Sequence, residues 1–314
     1  MGNHGNQRRG ERNSERKIMY DCIIIGGGPA GLTCAIYLAR FKRKVMLIEN
    51  GKYRNYASHG IHGFPGYDGI KPAQLLKNAR AEASKYNASF EKVTVTKVIS
   101  GKGSFKVVSN NKSHESRKVV LAYGVTDDIP AIKGFKKYYG KNIHHCPVCD
   151  GYEVKGKRVG VIGLIDKVFE MAVELKQWTE NIIVLTNGHS EGLDRYKISK
   201  LAKFGIEVTN EKISYLKGKE DLESIVLDSG ERIDVEALFF SNKIENSCSI
   251  AEDLKCSLTK KHNKLVVNKN CETTIKGVFA IGDLLAGPQL VITACSAGAI
   301  AAIEINRQLL REIL

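Results

Sequence analysis

YDCIIIGGGPAG, residues Tyr20–Gly31, decides how this chain folds. Tyr20 to Ile25 is an apolar run of strand length, and three glycines end it. Gly26 allows a tight turn, Gly28 lets a pyrophosphate approach the backbone, and Gly31 lets the next helix pack closely on the strand. Pro29 and Ala30 lie in the first turn of that helix, expected from about Pro29 to Phe41, where free N–H groups and the helix dipole favour an anion. A second strand follows from Lys44 to Glu49, and Glu49 closes it where an acid can bond ribose hydroxyls. Strand, glycine turn, helix and strand make a βαβ unit, the start of a doubly wound parallel sheet, and with the acid in place they mark a dinucleotide site.

Further along, a second unit reads as strand Arg158 to Ile162, helix around Asp166 to Trp178, and strand Asn181 to Thr186. Two units so far apart predict two nucleotide-fold domains rather than a short tandem repeat. Between them, Phe90 to Ile99 and Ser104 to Ser109 alternate like antiparallel strands around Gly101–Gly103, and Lys118 to Gly124 reads as a buried strand. Further strands are expected at Ile206–Val208, Ile213–Leu216, Glu223–Leu227, Ala237–Phe240 and Gly277–Ile281, and a helix rich in small residues from Val291 to Leu310.

Composition narrows the class. The chain has 314 residues, 43% of them hydrophobic, which suits a globular protein with a sizeable core. No apolar run is long enough to span a membrane, so no membrane partner is expected. Residues 1–17 are polar, charged or glycine apart from the first methionine. They predict a disordered basic tail, and without an apolar stretch they do not read as a secretory signal, which points to the cytoplasm. The formal net charge is +14, but the lysines are scattered. This pattern favours a solvated surface over a nucleic-acid stripe, while still suiting attraction to an acidic carrier protein.

Of eight cysteines, only two are spaced for chemistry. Cys146 and Cys149, in His144-His145-Cys146-Pro147-Val148-Cys149-Asp150-Gly151, can form a small reducible disulfide. Asp150 beside them is placed to exchange a proton with a thiol. A zinc half-site using His144 or His145 is the competing reading. A structural zinc site needs four ligands, and no second CxxC or histidine pair is suitably spaced, so no metal is expected. Gly282-Asp283, after the last strand, is by itself an ordinary turn.

Together, GGGPAG at 26–31, Glu49, CPVCDG at 146–151 and VFAIGD at 278–283 resemble the low-molecular-weight thioredoxin reductase family, over nearly everything from about Ile18 to Leu314. The resemblance implies an FAD-dependent disulfide oxidoreductase of α/β class, with two Rossmann-like (three-layer ββα) nucleotide-binding domains, the second inserted in the first. It implies a split FAD-binding domain at 18–127 and 255–314, an inserted NAD(P)H-domain-like segment at 128–254 bearing the CxxC, and a homodimer. FAD would lie on Gly26, Gly28, Pro29, Ala30 and Gly31, with Glu49, Arg54, Asn55, Gly124, Gly282 and Gln289 around it and Asp283 bonding a ribityl hydroxyl. Cys149 would face the flavin, Cys146 would exchange with a thioredoxin-like protein or a small dithiol or disulfide, and Asp150 would act as acid–base.

The sequence departs from that family where NADPH should bind. After the strand at 159–162 the family has a second GxGxxA, but here the stretch is Gly163-Leu164-Ile165-Asp166-Lys167-Val168. Ile165 replaces the glycine that admits the pyrophosphate, and the next strand ends Leu185-Thr186-Asn187-Gly188-His189, with no arginine before Arg195. Ordinary NADPH supply is therefore not expected. Arg54-Asn55, Ser58, His62-Gly63, Asp68-Gly69, Pro72, Leu75-Leu76 and Trp178-Thr179 resemble a subgroup that includes the gliotoxin and holomycin dithiol oxidases, in which the flavin takes electrons from a dithiol and passes them to oxygen. Another similar branch draws electrons from ferredoxin. The expected function is a flavin-dependent dithiol–disulfide oxidoreductase working through Cys146–Cys149, in either direction. A low-turnover redox-sensing flavoprotein is the alternative from another class.

Overall fold

The computed structural model describes residues 18–110, 112–163, 165–189, 193–241, 243–260 and 263–314, without the side chains of Ile165 and Asp166. The expected disordered tail at 1–17 lies outside the described residues. The chain builds β1 (Met19–Ile25), α1 (Pro29–Arg40) and β2 (Val45–Glu49), as the glycine turn predicts. The two strands run parallel, with Cys22 opposite Val45 and Ile25 opposite Ile48. Helix α2 (Pro72–Lys85) then leads to β3 (Ser89–Lys92), parallel to β2 at the sheet edge. A meander follows: β4 (Val95–Ser100), β5 (Phe105–Ser109) and the long β6 (Lys112–Leu121). The stretch Phe90–Ile99, expected as one strand of a hairpin, is thus two strands in different surroundings. Its first part extends the parallel sheet, and only β4 pairs antiparallel with β5.

From β6 the chain leaves through β7 (Val125–Asp127) and passes α3 (Phe135–Tyr138), β8 (Ile143–His144) and α4 (Pro147–Asp150). It then forms the second βαβ unit, β9 (Val159–Gly163), α5 (Ile165–Leu175) and β10 (Ile182–Leu185). Helix α6 (Arg195–Lys203), β11 (Glu207–Thr209), β12 (Ile213–Lys217), β13 (Ser224–Leu227), β14 (Arg232–Asp234) and β15 (Ala237–Ser241) complete this region. Strands 11-10-9-15-8 make an all-parallel sheet, and 12-13-14 a separate antiparallel one. The chain returns through β16 (Ile244–Asn246), antiparallel to β7, then adds α7 (Ile250–Asp253), β17 (Val278–Ala280) and α8 (Val291–Arg311) to the first unit.

Beyond Ser116, β6 turns from β5 to β17 as its neighbour, so the first sheet is completed by residues from the far end of the chain. One face of this sheet buries α1 and α8 in a core that includes Leu32, Leu38, Ala301 and Ile305. The other face covers Ile23, Val119 and Val278, and is joined by Ile250, Ala251 and Leu254. Ile250, Ala251 and Leu254 thus already pack on the first core. The second parallel sheet is covered on both faces too, by clusters around Phe240 and around Phe239. Coverage on both faces explains why the parallel strands read as continuous apolar runs.

Candidate functional site

At the first glycine turn, Gly26 has φ +115°, and a Cβ there would lie 2.3 Å from the Ala122 carbonyl oxygen. At Gly31 a Cβ would meet the Gly26 oxygen at 2.0 Å, so helix and strand approach as closely as backbone permits. A Cβ on Gly28 would meet nothing within 4 Å. Two glycines are required by protein packing, and the third faces open space at the start of α1, where Pro29 and Ala30 occupy the first turn. This is the cradle that a pyrophosphate fills at a helix N-terminus.

Glu49 ends β2 beside this turn. Arg80 donates to it at 2.5 Å, and Tyr53 donates to its other carboxylate oxygen. Burial and that hydrogen bond push the Tyr53 hydroxyl up to about 12. Gly27, not singled out in the sequence, is what makes room for the acid, since a Cβ there would lie 2.3 Å from Glu49 Oε2. Arg80 was also missed, because a contact spanning 31 residues leaves no spacing signature, and so was Tyr53, four residues from the acid.

Arg54 is the hub of the opposite side. It forms a bidentate pair with Asp127 at 2.6 Å for both bonds, and donates to Asp283 at 3.0 Å and Gln289 at 2.7 Å. Asp127 sits on β7, the strand leaving the first sheet, so Arg54 ties that crossing to the loop after β17. Lys264 donates to the Asp283 carbonyl at 2.6 Å. Burial pushes this lysine's pKa down, although Asp283 opposes that shift. Gly282 faces Ala30 of α1, and Gly124 takes the Ser247 N–H at the start of β7. Asn55 closes a turn by accepting the Ser58 N–H. Of the expected ring of FAD contacts, Arg54, Asp283 and Gln289 converge directly. The open position at Gly28, the acid at Glu49 and this polar cluster fit a dinucleotide such as FAD.

Cys146 and Cys149 are joined in a disulfide across α4. Pro147 is buried, whereas Val148 between the cysteines is 64% exposed, so this short helix is anchored at one point and presented at another. The Cys149 N–H donates to Cys146 Sγ at 3.1 Å, an interaction that also stabilises a thiolate at Cys146. Asp150 follows, with its carboxylate 3.4 Å from His144 Nδ1. Gly151 lies against Trp178, and a Cβ there would enter the indole at 2.5 Å. His145 turns to Phe240, with burial and then Arg54 pulling its pKa down. Among the described residues, no three His, Cys, Asp or Glu side chains converge to hold a metal.

The second βαβ unit keeps the turn and lacks the acid. Gly163 has φ +128°, and its backbone presses on the Ser241 carbonyl as Gly26 does on Ala122. Leu164 and the side chains of Ile165 and Asp166, on which the argument about pyrophosphate access rested, lie outside the described residues. The register supplies a separate reason. Ile25 pairs with Ile48 and Ile162 with Leu185, so Thr186 occupies the place of Glu49. Thr186 is buried and donates to Asn210. Asn187 accepts the Ile213 N–H at 2.7 Å, and the Gly188 N–H bonds the Asn210 carbonyl at 3.0 Å. Arg195 is exposed at the start of α6. No carboxylate stands where an NAD-type ribose acid would, and Thr186 takes its place.

Known proteins resemble the chain along nearly its whole length. The family model for pyridine nucleotide-disulphide oxidoreductases matches residues 20–298. Thioredoxin reductase sirT of Leptosphaeria maculans is 30% identical over 310 residues, covering 93% of this chain and 95% of its own. Thioredoxin reductase of Bacillus subtilis is 27% identical over 301 residues, covering 92% and 94%. Among solved structures, HlmI superposes with a TM-score of 0.89 at 29% identity over 93% of each chain. An oxidoreductase from Agrobacterium tumefaciens superposes at 0.86 and 31% identity, over 93% of this chain and 99% of that one.

Proposed function

This chain belongs to the pyridine nucleotide-disulphide oxidoreductase family, and from that premise we propose that it is a nucleotide-independent, FAD-dependent dithiol–disulfide oxidoreductase. The observation that carries this reading is the end of the second βαβ unit, where Thr186 takes the place of Glu49 and no arginine stands before the exposed Arg195 to meet a 2′-phosphate instead. FAD would be held by Gly26–Gly31, Glu49, Arg54, Asp283 and Gln289, and when bound it supplies two-electron redox chemistry to the Cys146–Cys149 pair. Cys146, whose sulfur accepts the Cys149 N–H, is the better leaving thiolate and exchanges with the substrate. When a substrate thiolate attacks Cys146, Cys149 leaves as the thiolate and the second substrate thiol then displaces Cys146. In the reverse flow Cys149 resolves the mixed disulfide, and in either case Asp150 exchanges the proton.

With no nucleotide site to deliver hydride, electrons enter from a dithiol in this reading, and oxygen is their final acceptor. The resemblance of Arg54-Asn55, Ser58, His62-Gly63 and Trp178-Thr179 to the dithiol-oxidase subgroup supports this direction, whereas similarity to proteins named thioredoxin reductase supports the reverse flow, which would need a donor such as ferredoxin. The proposal extends to a homodimer, joined where Tyr37, Phe41, Ile292 and Ile300 leave apolar surface on α1 and α8, and to a cytoplasmic setting. In it, residues 18–127 and 255–314 hold FAD, while 128–254 carry the cysteines.

The test is anaerobic stopped-flow absorbance of the yellow holoprotein mixed with NADPH, NADH, dithiothreitol or reduced ferredoxin. Bleaching by dithiothreitol that requires Cys149, with none by NADPH, is the expected result. Rapid bleaching by NADPH overturns nucleotide independence. Bleaching by ferredoxin alone reverses the direction, and no turnover with any of them leaves a redox sensor.

A further inference from the structure

A polar cleft of about 100 Å³ lies between the loop around His59–His62 and the segment 140–157. Both Asp150 and His144 line it, so it opens onto the redox helix. His62 bridges its two walls: its Nδ1 lies 2.9 Å from Asp68 and its Nε2 3.5 Å from Glu153. Gly60 leaves the imidazole its space, since a Cβ there would lie 3.2 Å from His62 Nε2. Side-chain exposure is 82% at Asp68, 27% at His62, 36% at Glu153 and 20% at Asp150, so His62 stands between an open carboxylate and the two on the redox segment.

Opening the Cys146–Cys149 bond consumes two electrons and two protons to give two thiols, and closing it releases them. A substrate dithiol brings its own two protons, and each thiol sheds its proton before it attacks. Closing the pair passes two electrons and one proton to the flavin, so one proton per cycle is exchanged with water. Asp150 holds one proton at a time and must be recharged or relieved at each cycle.

We propose that His62 relays protons through this cleft between solvent at Asp68 and the carboxylates of Glu153 and Asp150 that line it, and so positions Asp150 for successive turnovers. The role rests on the reading that Cys146–Cys149 cycles between disulfide and dithiol, and it holds for either direction of electron flow. The groups facing His62 are all acidic: Asp68 from its own loop, Glu153 and Asp150 from the redox segment. Lys141, Lys157 and Glu236 line the rest of the cleft, with His59 and His144. The hydrogen bond to Asp68, opposed by partial desolvation and aided by Glu153, raises the His62 pKa. That brings its charge change from about 6.5 toward neutrality.

Two measurements test this, and one needs no turnover. The first is a histidine NMR titration of His62, assigned by comparison with His62→Gln, in the disulfide form and after phosphine reduction. A thiolate appearing across the cleft raises the His62 pKa; an identical pKa in both forms overturns the relay. The second is the pH profile of flavin bleaching by dithiothreitol. In wild type it breaks at the titration of His62. His62→Gln removes the break and slows bleaching about tenfold, below the usual range for a group that itself transfers the proton. Asp68→Asn, which keeps the imidazole, moves the break to lower pH. A His62→Gln profile that matches wild type overturns the relay. If dithiothreitol bleaches no form but reduction still shifts His62, the functional reading fails and the coupling stands.

Discussion

Thr186 stands in the second βαβ unit at the register position that Glu49 holds in the first, one residue beyond the paired Leu185 and Ile48. The two therefore respond differently to substitution. Glu49→Gln removes the charge that accepts ribose hydroxyls, and hydrogen bonds to a charged group contribute about 1.5–3 kcal/mol. FAD affinity should fall by about tenfold to a hundredfold, read as flavin fluorescence released on dilution. Thr186→Val leaves the Asn210 side chain without its donor and should cost about 1–3 kcal/mol in denaturant unfolding, with FAD affinity unchanged.

Gly26 and Gly28 separate folding from binding. Gly26→Ala puts a Cβ against the Ala122 carbonyl at positive φ, and such backbone strain costs about 1–3 kcal/mol before the clash is added. It should lower the thermal midpoint of the apoprotein. Gly28→Val places its side chain in open space, so the apoprotein should melt close to wild type and fail to retain FAD on gel filtration. An apoprotein destabilised as much by Gly28→Val as by Gly26→Ala would show that this space is not a ligand site.

The cysteines predict an asymmetric trap. In Cys149→Ser the remaining Cys146 attacks a disulfide and cannot be resolved, so a mixed disulfide should accumulate and appear as added mass in non-reducing mass spectrometry. Cys146→Ser should trap at least tenfold less, because Cys149 is the resolving thiol. Equal trapping by both variants would remove the assignment of Cys146 as the exchanging residue.

His145 gives a stability prediction with a fixed sign. Burial holds its pKa below the ordinary value, so the folded protein keeps this imidazole neutral while the unfolded chain protonates near about 6.5. Stability from this residue is complete above that pH and declines below it, until the folded form also protonates. Thermal midpoints measured at pH 7.5 and 5.5 should therefore differ less in His145→Gln than in wild type.

Both βαβ units were legible because glycine chemistry and apolar runs are local. The change of partner within Phe90–Ile99 was not: alternation continues through Val93, and nothing local tells a parallel edge from a hairpin. Helix α2 escaped notice because it buries only Pro72, Leu76 and Ala83, and so leaves a weak periodicity. Its Arg80 meets Glu49 only after both elements pack. The grouping of Arg54, Asp283 and Gln289 was expected only from family resemblance, since their convergence joins residues over two hundred positions apart. For the second unit, the sequence pointed to the missing glycine and arginines. The pairing of Leu185 with Ile162 is what identifies Thr186 as the counterpart of Glu49.

Strand β17 and helix α8 close the first sheet from the end of the chain, with Gly298 bringing α8 so near α1 that a Cβ there would lie 2.3 Å from the Ala30 oxygen. During synthesis, the glycine turn leaves the ribosome early, but Asp283, Gln289 and this last helix leave almost at the end. The inserted region, with the redox cysteines, has by then emerged and can fold as a unit. A nascent chain stalled before β17 thus leaves the first sheet open at β6, and Arg54 meets Asp283 and Gln289 only when the last residues arrive.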